Sequence, residues 1–245
     1  MGDANDEDRI SKLPNGVIHH MMSFLPTKDV VRTCLLSKRW KLIWYSVPAL
    51  SFSDHIEVEG RQEFYNYIEK YLEHRKRGMY YIVDSVITSF KLNMLNYWHC
   101  KCEKSKADDI LDKWLAFIVL NKVEEIYLSI WPKQHWIFEE SYYYFCYYCL
   151  PKIWFENATY LTVLELEYVE LDASCSFSFP SLKILSLKEI HHSNTAEDDV
   201  VFKFLLGCPS LEKLWLLDYE FLCIDNKPQL LLSLSLKFFE SFFSV

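Results

Sequence analysis

The residues most capable of chemistry fall in two cysteine-bearing clusters, His99-Cys100-Lys101-Cys102 and Cys146-x-x-Cys149. Thiolate and imidazole donors suit a tetrahedral Zn2+. A structural zinc site pairs one CxxC with a second CxxC or an HxxxH, and these two clusters lie far apart in the chain. The second sits inside the aromatic tract SYYYFCYYC. Buried or free thiols fit this pattern better than ligands, and no metal site is expected. His19-His20 and His191-His192 lack partner carboxylates at a useful spacing. Glu124-Glu125 and Asp198-Asp199 read as solvated or helix-capping charge. No Ser-His-Asp or Cys-His order carries a local signature. With only 5 Gly there is no GxGxxG or GxxxxGK[ST] loop for a phosphate. Neither catalytic residue nor cofactor is expected, and the chain is not expected to be an enzyme.

The elements around these residues are those of a densely packed protein. Among 245 residues, 51% are hydrophobic and 17% aromatic, enough for a large core in one or two domains. A net charge of −8 makes nucleic acid a poor default partner. The acidic opening MGDANDEDR does not read as a signal peptide, and no apolar run is long enough to span a bilayer. These features, with 8 irregularly spaced Cys, lead to the expectation of an intracellular chain in the nucleus or cytoplasm, with no membrane partner.

The segment from Leu13 to Pro48 has a different character. Pro14 suits a first helical turn, and Val17, Ile18, Met21, Met22 and Leu25 recur at helical spacing. Pro26 ends that helix, Thr27 can cap the next, and Ser37 can cap a third that carries Trp40, Ile43 and Trp44. Three short helices cannot bury all these apolar side chains among themselves, so some should face a partner or the rest of the chain. Lys28, Arg32, Lys38, Arg39 and Lys41 stand against a single Asp29, a basic patch in an acidic protein. An acidic partner suits it. A DNA-binding helix-turn-helix does not, because these helices are too apolar for a groove-facing surface.

Leu13-Pro14, Ile18, Phe24-Leu25-Pro26-Thr27-Lys28, Val30-Val31, Cys34, Leu36-Ser37-Lys38-Arg39-Trp40, Trp44 and Val47-Pro48 together resemble the F-box motif. The closest likeness is to plant F-box proteins with leucine-rich repeats of the FBD type. The resemblance implies an α/β chain: a three-helix F-box over 9–50, a linking helix and strand region with a first irregular repeat over 51–109, and leucine-rich repeats over 110–245. It further implies docking on a Skp-type adaptor, and through it on a cullin-RING ubiquitin ligase. The family's docking surface maps here onto Leu13, Pro14, Ile18, Leu25, Val30, Cys34, Leu36, Trp40 and Trp44. His19-His20-Met21-Met22 depart from the usual first-helix residues.

The remainder supports this from its own pattern. Leu-x-x-Leu-x-Leu recurs at Leu161-Leu164-Leu166, Leu182-Leu185-Leu187, Leu211-Leu214-Leu216 and Leu231-Leu234-Leu236, with a degenerate copy at Val123-Ile126-Leu128. Most steps between copies fall in the leucine-rich-repeat range of about 20–29 residues. FPSLKILSL and CPSLEKLWL share flanks as well as leucines. Helices are expected over 62–77 and 110–121, and between Asn194 or Thr195 and Gly207. Strands alternate, so the leucines of each LxL point inward and the residues beside them outward. Tyr127, Ser129, Glu165, Glu167, Ser186, Lys188, Trp215 and Leu217 should therefore line one face of a parallel sheet, the surface on which solenoids hold partners. Trp215 is its best anchor. The resembled family continues into a further C-terminal domain, so the chain is expected to be a shortened member with an exposed apolar end. The implied function is recognition of an unknown target protein for ubiquitination. A scaffold or decoy that binds only adaptor or target is the rival.

Overall fold

The computed structural model describes residues 10–54, 61–79, 86–97, 106–137, 142–172, 174–192, 200–217 and 236–242. In chain order, α1 (Asn15–Ser23), α2 (Thr27–Arg32) and α3 (Lys38–Ile43) lead into β1 (Ala49–Ser53), α4 (Arg61–Met79), β2 (Ser89–Tyr97) and α5 (Lys106–Leu120). Then come β3 (Glu125–Pro132), β4 (Gln134–Ile137), β5 (Tyr142–Phe145), β6 (Tyr148–Cys149) and α6 (Lys152–Asn157). The chain continues through β7 (Val163–Glu167), β8 (Val169–Leu171), β9 (Ile184–Lys188), β10 (His191–His192), α7 (Val200–Leu206), β11 (Lys213–Leu217) and β12 (Phe238–Phe242).

Pro14 and Pro26, with φ of −58° and −55°, each stand immediately before a helix. Their fixed φ sets the entry into the first turn. This changes the role of Thr27. It is the first residue of α2 rather than its cap, and its hydroxyl is free to accept a hydrogen bond from the Ser51 backbone N–H at 2.7 Å. Ser37 does cap α3, accepting from the Trp40 N–H. One stripe of each helix turns inward: Ile18 and Met22, then Val30, then Trp40, Ile43 and Trp44. These join the same buried cluster as the strands that follow, so the helical unit and the sheet share a core.

Seven strands form a parallel sheet in the order β1-β2-β3-β7-β9-β11-β12. Its register aligns two inward rows. Leu50, Phe90, Ile126, Leu164, Leu185 and Leu214 face one another in turn, as do Phe52, Leu92, Leu128, Leu166, Leu187 and Leu216; on β12 the first row meets Phe239, which is exposed. Two residues before each strand stands a further apolar side chain: Val47, Ile87, Val123, Leu161, Leu182, Leu211 and Leu236. The first six are buried and Leu236 packs partly against the core. Two copies of the repeat, Val47-x-x-Leu50-x-Phe52 and Ile87-x-x-Phe90-x-Leu92, thus escape a search for leucine alone.

The last copy is corrected. The sequence suggests Leu231-Leu234-Leu236, but the strand that pairs with β11 runs from Phe238 to Phe242, with Leu236 in the place of Leu211. Residues 231–235 lie outside the described residues. The run LLLSLSLKFF offers several readings two residues apart, and an aromatic ring fits the pleat as well as leucine, so spacing alone does not choose among them.

The remaining helices turn their apolar faces into this core: Leu111, Trp114, Leu115 and Ile118 from α5, Trp154 and Phe155 from α6, and Val200, Val201, Phe204 and Leu205 from α7. The helix expected from Asn194 or Thr195 is found from Val200, and 193–199 lie outside the described residues. The aromatic tract splits. Tyr142–Phe145 pair antiparallel with Gln134–Ile137, and Tyr148-Cys149 enter a small parallel sheet with β8 and β10. Tyr168 and Glu189, each directly after a strand of the large sheet, take left-handed φ of 57° and 50° and turn the chain toward that smaller sheet.

Arg75 of α4 is fully buried and donates to the Trp44 carbonyl at 3.0 Å and the Val47 carbonyl at 2.8 Å. It closes the C-terminal end of the helical unit onto α4.

After α7, Gly207 lies where a Cβ would meet the Phe177 carbonyl oxygen at 2.3 Å. Gly207→Ala must push backbone apart and is expected to destabilise the protein by about 1–3 kcal/mol in urea unfolding. Gly16→Ala, in α1 with nothing within 4 Å, should be neutral or stabilising by up to about 1 kcal/mol.

Candidate functional site

Two surfaces collect the residues singled out in the sequence. The first is on the N-terminal helices. Of the nine expected docking residues, Ile18, Val30, Trp40 and Trp44 are buried, Leu13 and Cys34 are half-buried, and Pro14, Leu25 and Leu36 are exposed. The four buried side chains hold the unit together and are not available to a partner without rearrangement. In their place the outer surface carries Phe24, Leu35 and Leu42, which are 74%, 89% and 61% exposed, beside Leu36 at 65%. Val17 and Met21 also point outward, although they share helical spacing with the buried Ile18 and Met22. Subtracting the inward stripe of each helix from its apolar residues would have found these positions in the sequence.

The basic patch divides similarly. Arg32 pairs with Asp29 at 2.8 Å, and Arg39 ties α3 to the start of α1 through the Leu13 carbonyl and the Asn15 side chain. Lys28, Lys38 and Lys41 have no ion-pair or hydrogen-bond partner among the described residues, so their charge is directed outward. His20 is exposed and packs edge-on to Phe24, while half-buried His19 meets the Ser46 hydroxyl at 2.7 Å. Burial pushes the Cys34 thiol up to about 11, so it stays protonated at neutral pH.

The second surface is the outward face of the large sheet. Ser51, Lys91, Tyr127, Glu165, Ser186, Trp215 and Glu240 stand side by side across its strands. The next row runs Ser53, Asn93, Ser129, Glu167, Lys188 and Leu217. All five expected target-facing residues are therefore on one face. Tyr127, Glu165, Ser186 and Lys188 line a depression of about 280 Å³ together with Lys91 and Glu167. Trp215 lies to one side. It is half-buried, its ring 5.1 Å from that of Phe238 and its Nε1 donating to Glu240 at 3.0 Å.

The depression is a polar network with mixed charge. Lys188 Nζ meets Glu167 Oε1 at 2.7 Å, the Ser129 hydroxyl donates to Glu167 Oε2 at 2.7 Å, and Trp131 Nε1 donates to Ser129 at 3.0 Å. The Trp131 ring lies 4.1 Å from that of Tyr168, tilted by 39°. Partial burial raises the Glu165 carboxyl above its ordinary value, with nearby Glu167 adding to the rise and Lys91 opposing it. Burial, with Glu125 and Glu165 close by, pushes Tyr127 up to about 12.

Of the candidate chemical clusters, Cys146 is buried, Cys149 lies at the edge of the small sheet, and 99–102 lie outside the described residues. His191 stacks on Tyr147 at 3.5 Å. No group of three or more His, Cys, Asp or Glu that could hold a metal occurs among the described residues. No helix among them is long and apolar enough to cross a membrane.

Because the Glu165 pKa is raised on folding, the native state binds more protons than the unfolded chain above the ordinary carboxylate range, and its charged form costs stability there. Glu165→Gln is expected to raise the urea midpoint at pH 7. The gain should shrink on acidification and vanish below about pH 4, where both states are protonated.

The F-box domain family matches residues 10–51. An F-box/LRR-repeat protein of Arabidopsis thaliana is 32% identical over 212 residues, covering 84% of this chain and 36% of that protein. A second F-box/LRR-repeat protein of the same plant is 31% identical over 229 residues, covering 91% and 42%. An F-box/FBD/LRR-repeat protein, also from Arabidopsis, is 29% identical over 209 residues, covering 85% and 43%. The chain thus spans about two fifths of the length of these relatives. No solved structure matches it. With the matched segment folded as short helices that keep an apolar surface and lead into β1, and with homology running over most of its length, the chain carries an N-terminal F-box domain and is a homologue of plant F-box/LRR-repeat proteins.

Proposed function

We propose that the chain is a substrate-recognition subunit of a Skp-cullin-F-box ubiquitin ligase, acting in the nucleus or cytoplasm. The F-box helices dock on a Skp-type adaptor, and the repeats form a leucine-rich-repeat solenoid whose parallel sheet presents Tyr127, Glu165, Ser186, Lys188 and Trp215 to a target protein. The domain limits follow: the F-box over 9–50, a first irregular repeat over 51–109 and further repeats over 110–245. The protein contributes position rather than chemistry. Holding a target beside a ubiquitin-charged enzyme raises its effective concentration at that enzyme.

The observation that carries this reading is the distribution of apolar side chains in the F-box. The inward stripes are fully used in the core, yet Phe24, Leu35, Leu36 and Leu42 remain exposed. An exposed apolar surface of this kind marks interaction sites. Lys28, Lys38 and Lys41 beside it suit an acidic partner by steering and orientation more than by net affinity.

Co-purification and calorimetry with a Skp-type adaptor test the reading. Leu35→Asp and Leu36→Asp should each leave thermal unfolding unchanged and weaken adaptor binding about 30-fold or more, as expected for contact anchors. Trp40→Ala should instead lower stability by about 3–5 kcal/mol, because it empties a buried site. Wild-type adaptor affinity in both aspartate variants would remove this surface from the interface.

A further inference from the structure

A hollow of about 240 Å³ opens where the turn between α1 and α2 meets β1 and the start of β2. Phe24, Leu25 and Pro26 form its apolar wall, and all three are exposed. On its sheet side stand the hydroxyls of Ser51 and Ser89, which make no hydrogen bond among the described residues. Lys91 is the one charged residue in its lining, and its side chain is exposed. Lys91 and Tyr127 also line the depression on the sheet, so the two hollows adjoin and the outward face runs onto the F-box. Leu35, Leu36 and Leu42 line neither hollow, which sets this trough apart from most of the surface proposed for the adaptor.

Four charged side chains line the depression: Lys91, Glu165, Glu167 and Lys188. Glu167 and Lys188 are paired at 2.7 Å. Lys91 and Glu165 are both exposed, and neither has a hydrogen bond or a contact ion pair among the described residues. They influence one another only across the floor of the depression. Tyr127 stands between them in the sheet, so their strands are two spacings apart, about 10 Å. An extended peptide covers that distance in about three residues.

We propose that this trough holds an extended segment of the target with a fixed order of side chains. An apolar side chain lies against Phe24, Leu25 and Pro26, an acidic one meets Lys91, and a basic one, about two or three residues further on, meets Glu165. The inference rests on the target-holding reading of the sheet and names the class of target. The charges choose the occupant. The hollow beside the F-box offers one cation, two hydroxyl donors and no carboxylate, so it suits an anion. A single lysine balances a carboxylate better than the larger charge of a phosphoryl group. The open carboxylate of Glu165 beyond it suits a cation. A segment with its charges in the opposite order would meet like charge at both positions, which is repulsive.

The test is selection from a phage-displayed library of short random peptides on the immobilised full chain, followed by calorimetry with a selected peptide. The wild-type protein should enrich the order apolar, acidic, basic. The charge-swapped double variant Lys91→Glu, Glu165→Lys should unfold at the wild-type temperature, since both positions are exposed. It should bind the wild-type peptide at least about tenfold more weakly and enrich the order apolar, basic, acidic. Absence of an enriched pattern, or the same pattern from both proteins, would overturn the site. Binding at least about tenfold tighter once phosphoserine replaces the acidic residue would overturn the carboxylate as its ligand. Adaptor affinity, measured in parallel, should be equal in the two proteins. Adaptor binding without the pattern overturns this site alone, whereas the pattern without adaptor binding supports the site and removes the ligase reading.

Discussion

Everything in this protein hangs on the register of one parallel sheet. Side chains alternate across a strand with a period of two, so a slip by a single residue would turn a whole inward row toward solvent. The register observed keeps two apolar rows continuous from Leu50 and Phe52 to Leu214 and Leu216. Fully burying a leucine or phenylalanine is worth about 1.5–3 kcal/mol, so each shifted strand would lose several kilocalories. The same alternation places Tyr127, Glu165, Ser186 and Trp215 in one outward row. The outward surface is a by-product of the core.

The helical unit is fastened to that frame at its β1 edge. Val47 ends the third helix region and is also the first apolar position of the repeat, two residues ahead of β1. Thr27 accepts from Ser51 within β1, and Arg75 holds the Trp44 and Val47 carbonyls from the other side. A buried guanidinium is costly to desolvate, and its hydrogen bonds to two backbone carbonyls offset part of that cost. The consequence is geometric. The exposed apolar residues of the helices and the sheet face are joined through short, buried, hydrogen-bonded contacts with no long linker between β1 and the helices.

Much of this was legible in the sequence because it is periodic. The leucines of the central repeats, the outward row between them and the three N-terminal helices all follow from spacing. Four things did not. The first two repeats use valine, isoleucine and phenylalanine, which serve a pleated core as well as leucine does but break a leucine pattern. The last repeat sits in a run whose alternation admits several registers, and pairing with β11 alone selects Phe238–Phe242. The expected docking set was only partly separable, since Trp40 and Leu36 are equally apolar in sequence, yet Trp40 lies on the inward side of α3 and Leu36 in the exposed turn before it. The role of Thr27 was missed for a related reason: its partner, Ser51, is distant in sequence.

The outward face is not a row of idle side chains. Glu167 already holds Lys188 and Ser129, Ser129 holds Trp131, and Trp215 holds Glu240. A partner that only buried this network would leave its charges poorly solvated, which is unfavourable unless the geometry replaces what water supplied. A partner with complementary donors and acceptors would extend the network at little cost, because the side chains are already oriented. Internal pairing therefore makes the surface more discriminating, not less available. In the proposed target-holding role it would lower the affinity for any apolar surface that happens to fit and reserve binding for a pattern that matches Lys91, Glu165 and the Glu167–Lys188 pair.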